Sequence, residues 1–295
     1  MKVNVAKNAG FCGGVNRAFM LVEKKFRNYK KRNPVFILGS LVHNENVMAV
    51  VEKWRIKKIE TLRLIKKNDT VIITAHGVSK QKIKSIKKRE AIVFDTTCPN
   101  VSRVHRCVRW YAEKKFEIII FGDKKHKEVR GINGWCGKNA RIIATKNETK
   151  KLARQIVNSN CQRPLLVVSQ TTQNVASFSE AVAMLKRAAR FAGRTMKTVD
   201  TICRATSFRQ KEASRISKKN DAVIIIGGKK SANTRQLWKI AKNINKKVTW
   251  IDELNDRAKK KIKHLLREAD TVGIVSGAST PKWDIDKTVA YLKTL

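Results

Sequence analysis

Three cysteines share one local setting: a short apolar run ends, the thiol follows, and a helical pattern begins. Cys12 follows Val3–Ala6 and precedes a helix from Val15. Cys98 follows Ile92–Phe94 and precedes a helix from about Pro99, where proline suits the first turn. Cys203 follows Met196–Val199 and precedes a helix from about Ser207. Open N–H groups and the positive dipole end at such a position favour the thiolate, the form that binds metal. Three thiolates can hold a zinc ion or three corners of an iron–sulfur cubane, and either leaves one position open. The other three thiols break the pattern. Cys107 lies within a helix beside Val104 and Val108, Cys136 follows Gly134-Trp135 in a loop, and Cys161 precedes a strand. These read as small buried or incidental residues.

A second set of residues lies at the ends of apolar runs. His43, His76 and His126 account for three of the five histidines, all in glycine-bearing turns. Thr171, Thr172, Ser231, Asn233 and Ser279 occupy equivalent places. Short hydroxyl, amide and imidazole side chains near helix N-termini suit phosphate oxygens. Glu128, two residues after His126, is the carboxylate placed to donate a proton; without this context it reads as a surface glutamate.

The elements that must position these groups alternate strand and helix, which predicts an α/β fold. The strand-like runs are Val35–Leu38, Val71–Thr74, Ile92–Phe94, Ile118–Phe121, Arg141–Ala144, Leu165–Val168, Val223–Ile226, Val248–Ile251 and Val272–Val275, and the first residues Met1–Val5 read as a strand. Helical periodicity marks Val15–Phe26, Val101–Lys115, Ser179–Phe191, Ser207–Lys219 and Thr234–Asn243. The strand ends repeat, each unit showing a glycine with a polar cluster and later a second cluster. Three similar small units with converging strand ends would enclose one polar pocket, since ligands collect at the carboxyl ends of strands.

Composition bounds the rest. With 295 residues and 42% apolar content the chain can bury a core. No apolar stretch approaches the roughly 18 residues a membrane helix needs, and the N-terminus has no signal-peptide pattern. A cytoplasmic protein without a disulfide framework is expected. The net charge of +42 suggests an acidic partner, but the basic residues are spread along the whole chain and no nucleic-acid motif accompanies them. Dedicated nucleic-acid binding is not expected.

At these residues the sequence resembles the 4-hydroxy-3-methylbut-2-enyl diphosphate reductase family, also called IspH or LytB. The matching motifs are Ala9-Gly10-Phe11-Cys12-Gly13-Gly14-Val15, Val42-His43-Asn44, Ala75-His76-Gly77-Val78-Ser79 and Asp95-Thr96-Thr97-Cys98-Pro99. They continue with His126-Lys127-Glu128-Val129, Ser169-Gln170-Thr171-Thr172, Thr201-Ile202-Cys203-Arg204-Ala205-Thr206, Ser231-Ala232-Asn233-Thr234 and Gly277-Ala278-Ser279-Thr280-Pro281. They stand in family order from residue 9 to 281.

The resemblance implies a trefoil of three small α/β units around a central cluster and pocket. The units would span 13–97, 98–202 and 203–281, with 1–12 and 282–295 packing on the core. It implies one [4Fe–4S] cluster per chain on Cys12, Cys98 and Cys203. The diphosphate would meet His43, His76, His126, Ser231, Ala232, Asn233 and Ser279. Glu128 would deliver the proton and Thr172 would position the substrate hydroxyl, with Thr171 and Thr206 as neighbours. The implied reaction is reductive dehydroxylation of the allylic diphosphate to isopentenyl and dimethylallyl diphosphate, the last step of the methylerythritol phosphate route, with ferredoxin or flavodoxin as electron donor.

Two positions depart from the family pattern. Lys127 stands where proline is usual, which removes a backbone constraint and adds a cation beside Glu128. Ala232 replaces a frequent serine, leaving only its main-chain N–H for a phosphate. The competing expectations are a zinc-dependent, non-redox enzyme on a phosphorylated substrate, and a basic nucleic-acid-binding protein.

Overall fold

The computed structural model describes residues 1–29 and 33–295. In chain order, β1 (Lys2–Val5) and α1 (Gly13–Phe26) are followed by β2 (Val35–Leu38), α2 (Glu45–Lys53), β3 (Ile56–Ile59), β4 (Thr70–Ile73), α3 (Lys80–Lys87) and β5 (Ile92–Asp95). Next come α4 (Pro99–Glu113), β6 (Glu117–Phe121), α5 (Lys127–Trp135), β7 (Arg141–Ile143), α6 (Lys146–Val157), β8 (Leu165–Ser169), α7 (Val175–Phe191) and β9 (Met196–Thr198). The chain continues through α8 (Arg204–Lys219), β10 (Ala222–Ile226), α9 (Ala232–Ile244), β11 (Val248–Ile251), α10 (Asp256–Leu265), β12 (Thr271–Ser276) and α11 (Lys282–Leu292).

The strands form three four-stranded sheets, ordered β3-β2-β4-β5, β7-β6-β8-β9 and β1-β12-β10-β11. The described pairings are parallel, as helical crossovers require. The central strands β2, β4, β8 and β10 are buried at every position. A parallel sheet is covered on both faces, so its inner strands carry continuous apolar runs. In the second sheet, Ile119, Phe121, Leu165 and Val167 face Leu152 and Ile156 of α6 and Phe178 and Leu185 of α7. The alternate residues Ile118, Ile120, Leu166 and Val168 face Val104 and Val108 of α4 and Val129 and Ile132 of α5. That second layer anchors α5, the helix that carries Glu128.

The chain divides into two compact units. One comprises Met1–Lys30, Ser40–Lys58 and Arg204–Leu295; the other comprises Lys31–Gly39 and Ile59–Cys203. In the first, the terminal strand β1 pairs with β12, and Ile285 and Leu292 of α11 join the core with Ile226 and Ile274. No helix among the described residues is long and apolar enough to cross a membrane.

Several helices begin earlier than periodicity predicts. α1 starts at Gly13, α7 at Val175 and α8 at Arg204, whereas α4 starts at Pro99, where the proline after Cys98 predicts it. The first turns of α1 and α8 are mostly small or polar, and a cap such as Asn174 before α7, whose side chain accepts from the Ser177 N–H, fixes the start instead of an apolar stripe. Cys136 is not in an independent loop but caps the C-terminus of α5.

Candidate functional site

In the larger contiguous unit the site is built around the first turn of α5. His126 is its N-cap, and the ring Nδ1 accepts from the Glu128 N–H at 3.2 Å. That bond holds Glu128 in the first turn, where the residue is only 2% exposed. Its carboxylate accepts from the Thr171 N–H at 2.7 Å and from the Thr171 hydroxyl at 3.0 Å. Burial pushes the Glu128 pKa up to about 7, against the pull of these two bonds. The group is therefore half-protonated near neutrality, the condition for a general acid. Lys127 points elsewhere: its Nζ pairs with Glu60 at 3.0 Å.

Thr172 makes a different contact from its neighbour. Its hydroxyl accepts from Gln170 Nε2 at 2.9 Å. The His76 and His126 rings lie edge to face with centroids 5.5 Å apart. His76 precedes Gly77, whose φ of +67° and tight surroundings demand glycine: an added Cβ would lie 2.7 Å from His105 Cε1. His105 is buried, and its ring stacks on Trp135 at 5.3 Å. Burial drives its pKa down to about 4, so it is a neutral spacer under the His76 turn.

Cys98 and Cys203 are pinned to these segments by main-chain bonds. The Cys98 N–H donates to Ala75 O and the Cys203 N–H to Thr171 O, each at 3.0 Å. Asn100 Nδ2 donates to Cys203 Sγ at 3.1 Å.

In the other unit, the Cys12 N–H donates to Ala278 O at 3.0 Å, and Cys12 Sγ accepts from the Val15 N–H at 3.5 Å. Ser279 Oγ donates to His43 O at 3.3 Å. Asn44 caps α2 and Ser231 caps α9, with the Ser231 hydroxyl accepting from the Thr234 N–H at 3.3 Å. Ala232 is the first residue of α9. Asn233 is 3% exposed, and neither its Nδ2 nor its Oδ1 has a partner. A buried amide with both atoms unmatched calls for a polar ligand. A cavity of about 320 Å³ in the same unit is lined by His43, Asn44, Gly228 and Lys230 together with Glu45, Asp252 and Glu253; Asn233 is not in its lining. Thr206 is buried in α8.

The thiols suit an iron–sulfur group by donor chemistry. Cys12 and Cys98 are helix N-caps and Cys203 immediately precedes α8; all three are half-buried, and two accept hydrogen bonds at sulfur. The thiol of Cys136 is pushed up to about 11 by burial, and that of Cys107 is also raised, which disfavours thiolate at both. None of the six cysteines is in a disulfide. Among the described residues no group of three or more His, Cys, Asp or Glu is arranged to hold a metal ion. Sequence reasoning passed over Asn100, His105 and the direct Thr171–Glu128 contact. Only the position of Asn100, two residues after Cys98, offered a signal.

The LytB protein family model matches residues 3–293. The 4-hydroxy-3-methylbut-2-enyl diphosphate reductase of Clostridioides difficile strain 630 is 36% identical over 299 residues, covering all of both chains. The enzyme of the same name from Clostridium perfringens strain 13 is 36% identical over 295 residues, covering 99% of each chain. The solved E-1-hydroxy-2-methyl-but-2-enyl-4-diphosphate reductase of Plasmodium falciparum superposes with a TM-score of 0.87 at 28% identity, covering 99% of this chain and 87% of the other. A match that runs through nearly every residue, motif and strand places the chain in the LytB family of 4-hydroxy-3-methylbut-2-enyl diphosphate reductases.

Proposed function

We propose that the chain reduces 4-hydroxy-3-methylbut-2-enyl diphosphate to isopentenyl and dimethylallyl diphosphate, consuming two electrons and two protons and releasing water. This is the terminal step of the methylerythritol phosphate route. The observation that carries the reading is Glu128: a buried carboxyl poised near neutrality and oriented by Thr171 within a LytB chain.

Cys12, Cys98 and Cys203 are the residues that would hold one [4Fe–4S] cluster. When bound, such a cluster passes electrons singly and offers an iron with no protein ligand. The diphosphate is bound by His43, His76, His126, Ser231, Asn233 and Ser279 and by the main-chain N–H of Ala232. The unmatched Asn233 amide supports that role. Fixing the diphosphate places the leaving hydroxyl within reach of a proton. Glu128 holds that proton, and Thr172 orients the hydroxyl. Once Glu128 gives up its proton, the two Thr171 donors stabilise the carboxylate.

The electron donor is ferredoxin or flavodoxin, acidic carriers that suit a chain of net charge +42. The working compartment is the cytoplasm. A division into three units, 13–97, 98–202 and 203–281, rests on the three four-stranded sheets, with the segment 1–12 adding β1 to the third. The test is anaerobic reconstitution with iron and sulfide, followed by substrate and a chemical reductant. Formation of both five-carbon diphosphates is expected; a loaded, reduced protein that forms neither would overturn the reading.

A further inference from the structure

Arg209 is 5% exposed, and its guanidinium spans two main-chain carbonyls. Nη2 donates to Gly10 O at 2.9 Å, and Nη1 donates to Ala205 O at 3.2 Å. Gly10 lies two residues before Cys12 and has a φ of +106°. Its N–H donates to the buried Ser276 hydroxyl at 2.7 Å. The Cys12 N–H completes the arrangement by donating to Ala278 O at 3.0 Å. The turn that presents Cys12 is thus clamped on both sides, by β12 and its following loop and by a cation from α8.

Withdrawing a guanidinium from water is costly, and a neutral amide would satisfy a carbonyl at less expense. A buried positive charge also acts on its surroundings through a low dielectric. Beside a thiolate-ligated centre it favours the electron-richer state, because net charge is one of the terms that set a cluster's potential. We propose that Arg209 is a positioning residue for Cys12: it fixes the Gly10 carbonyl and, by its charge, raises the reduction potential of the group that Cys12 holds. This rests on Cys12 being a cluster ligand, as proposed above.

The test compares wild type, Arg209→Gln, Arg209→Lys and Ser276→Ala after anaerobic reconstitution with iron and sulfide. Iron release to a chelator and the midpoint potential from a spectroscopic titration are read in each. R209Q is expected to release iron several-fold faster and to titrate at a more negative potential. R209K keeps the charge but not the forked reach, so it releases iron faster while its potential stays near that of wild type. S276A loosens the same turn without changing its charge and behaves like R209K. Unchanged release and potential in R209Q overturn the inference, and an S276A shift equal to that of R209Q removes its electrostatic part. If R209Q does not fold, R209K decides: wild-type iron release there overturns the positioning role, and a potential well below that of wild type despite the retained charge overturns the charge role. A wild-type chain that takes up no cluster, or a Cys12→Ala chain that takes up a full one, instead overturns the assignment of Cys12.

Discussion

Thr171 makes two hydrogen bonds to one carboxyl group, its N–H reaching Glu128 Oε1 at 2.7 Å and its hydroxyl reaching Oε2 at 3.0 Å. The two bonds fix the plane of the group while burial keeps its pKa near 7. Orientation and protonation are therefore set by different parts of the fold: β8 and its turn supply the first, and the packing of α5 supplies the second.

Glu128→Gln keeps the shape and an acceptor for the Thr171 N–H but has no acidic proton. Turnover is expected to fall by roughly 10²- to 10⁴-fold, the usual span of a general acid. Iron content per chain should match wild type. Steady-state kinetics and an iron assay check both, and near-normal turnover would remove Glu128 from its role.

Two buried groups oppose each other in the dependence of stability on pH. Glu128 rises from 4.5 to about 7 on folding, so between these values the folded chain holds the extra proton and stability drops as pH climbs. His105 falls from 6.5 to about 4, so over that range the unfolded chain holds the extra proton and stability grows with pH. Near pH 5 to 6 the two slopes, each up to about 1.4 kcal/mol per pH unit, nearly cancel. Relative to wild type, His105→Leu should lose stability from pH 5 to pH 6 and E128Q should gain it. Urea midpoints at the two pH values measure the slopes; matching slopes in all three proteins would refute the pair.

Asn100→Leu deletes the donor to Cys203 Sγ while roughly preserving volume. Outer partners of metal ligands commonly affect affinity by roughly 10- to 100-fold. The loaded variant should lose iron to a chelator faster by a factor in that range, with its fold intact by circular dichroism. Release at the wild-type rate would show that the contact is incidental.

Lys127→Pro should be nearly neutral. Lys127 is the first residue of α5, a position that accepts proline, and the preceding His126 has φ −69° and ψ 137°, as a residue before proline requires. The lost pair with Glu60, a side chain 63% exposed, contributes up to about 1 kcal/mol. Stiffening the unfolded chain returns about 0.4–1 kcal/mol. Unfolding midpoint and turnover are expected to stay close to wild type; a large loss in either would mean that the lysine has a second task.

The inner strands were legible because buried parallel strands leave continuous apolar runs: Val35–Leu38 matches β2 end to end and Val223–Ile226 lies within β10, while the part-buried edge strand Val248–Ile251 also matches end to end. The short strand β3 was not, because Ile56-Lys57-Lys58-Ile59 buries only its ends. Helix α5 was equally hidden. Its nine residues include two glycines, and it is held by a histidine cap and by contact with β6 and β8, neither of which has a periodic signature. The candidate site was legible as a set of residue types at strand ends. Its internal pairings were not, since Thr171 and Glu128 lie 43 residues apart and Asn100 and Cys203 lie 103 apart.

Several residues of the matching motifs also start helices: Cys12, Asn44, Ser79, Cys98, His126 and Ser231 are the N-caps of α1, α2, α3, α4, α5 and α9. A change at a side chain that caps by hydrogen bonding loses about 1 kcal/mol of fold stability before any loss of chemistry is counted. Drift at these positions is therefore resisted twice. A lineage that no longer needed the reaction would still be slow to erase its traces, and a fossil of the site would outlast the activity.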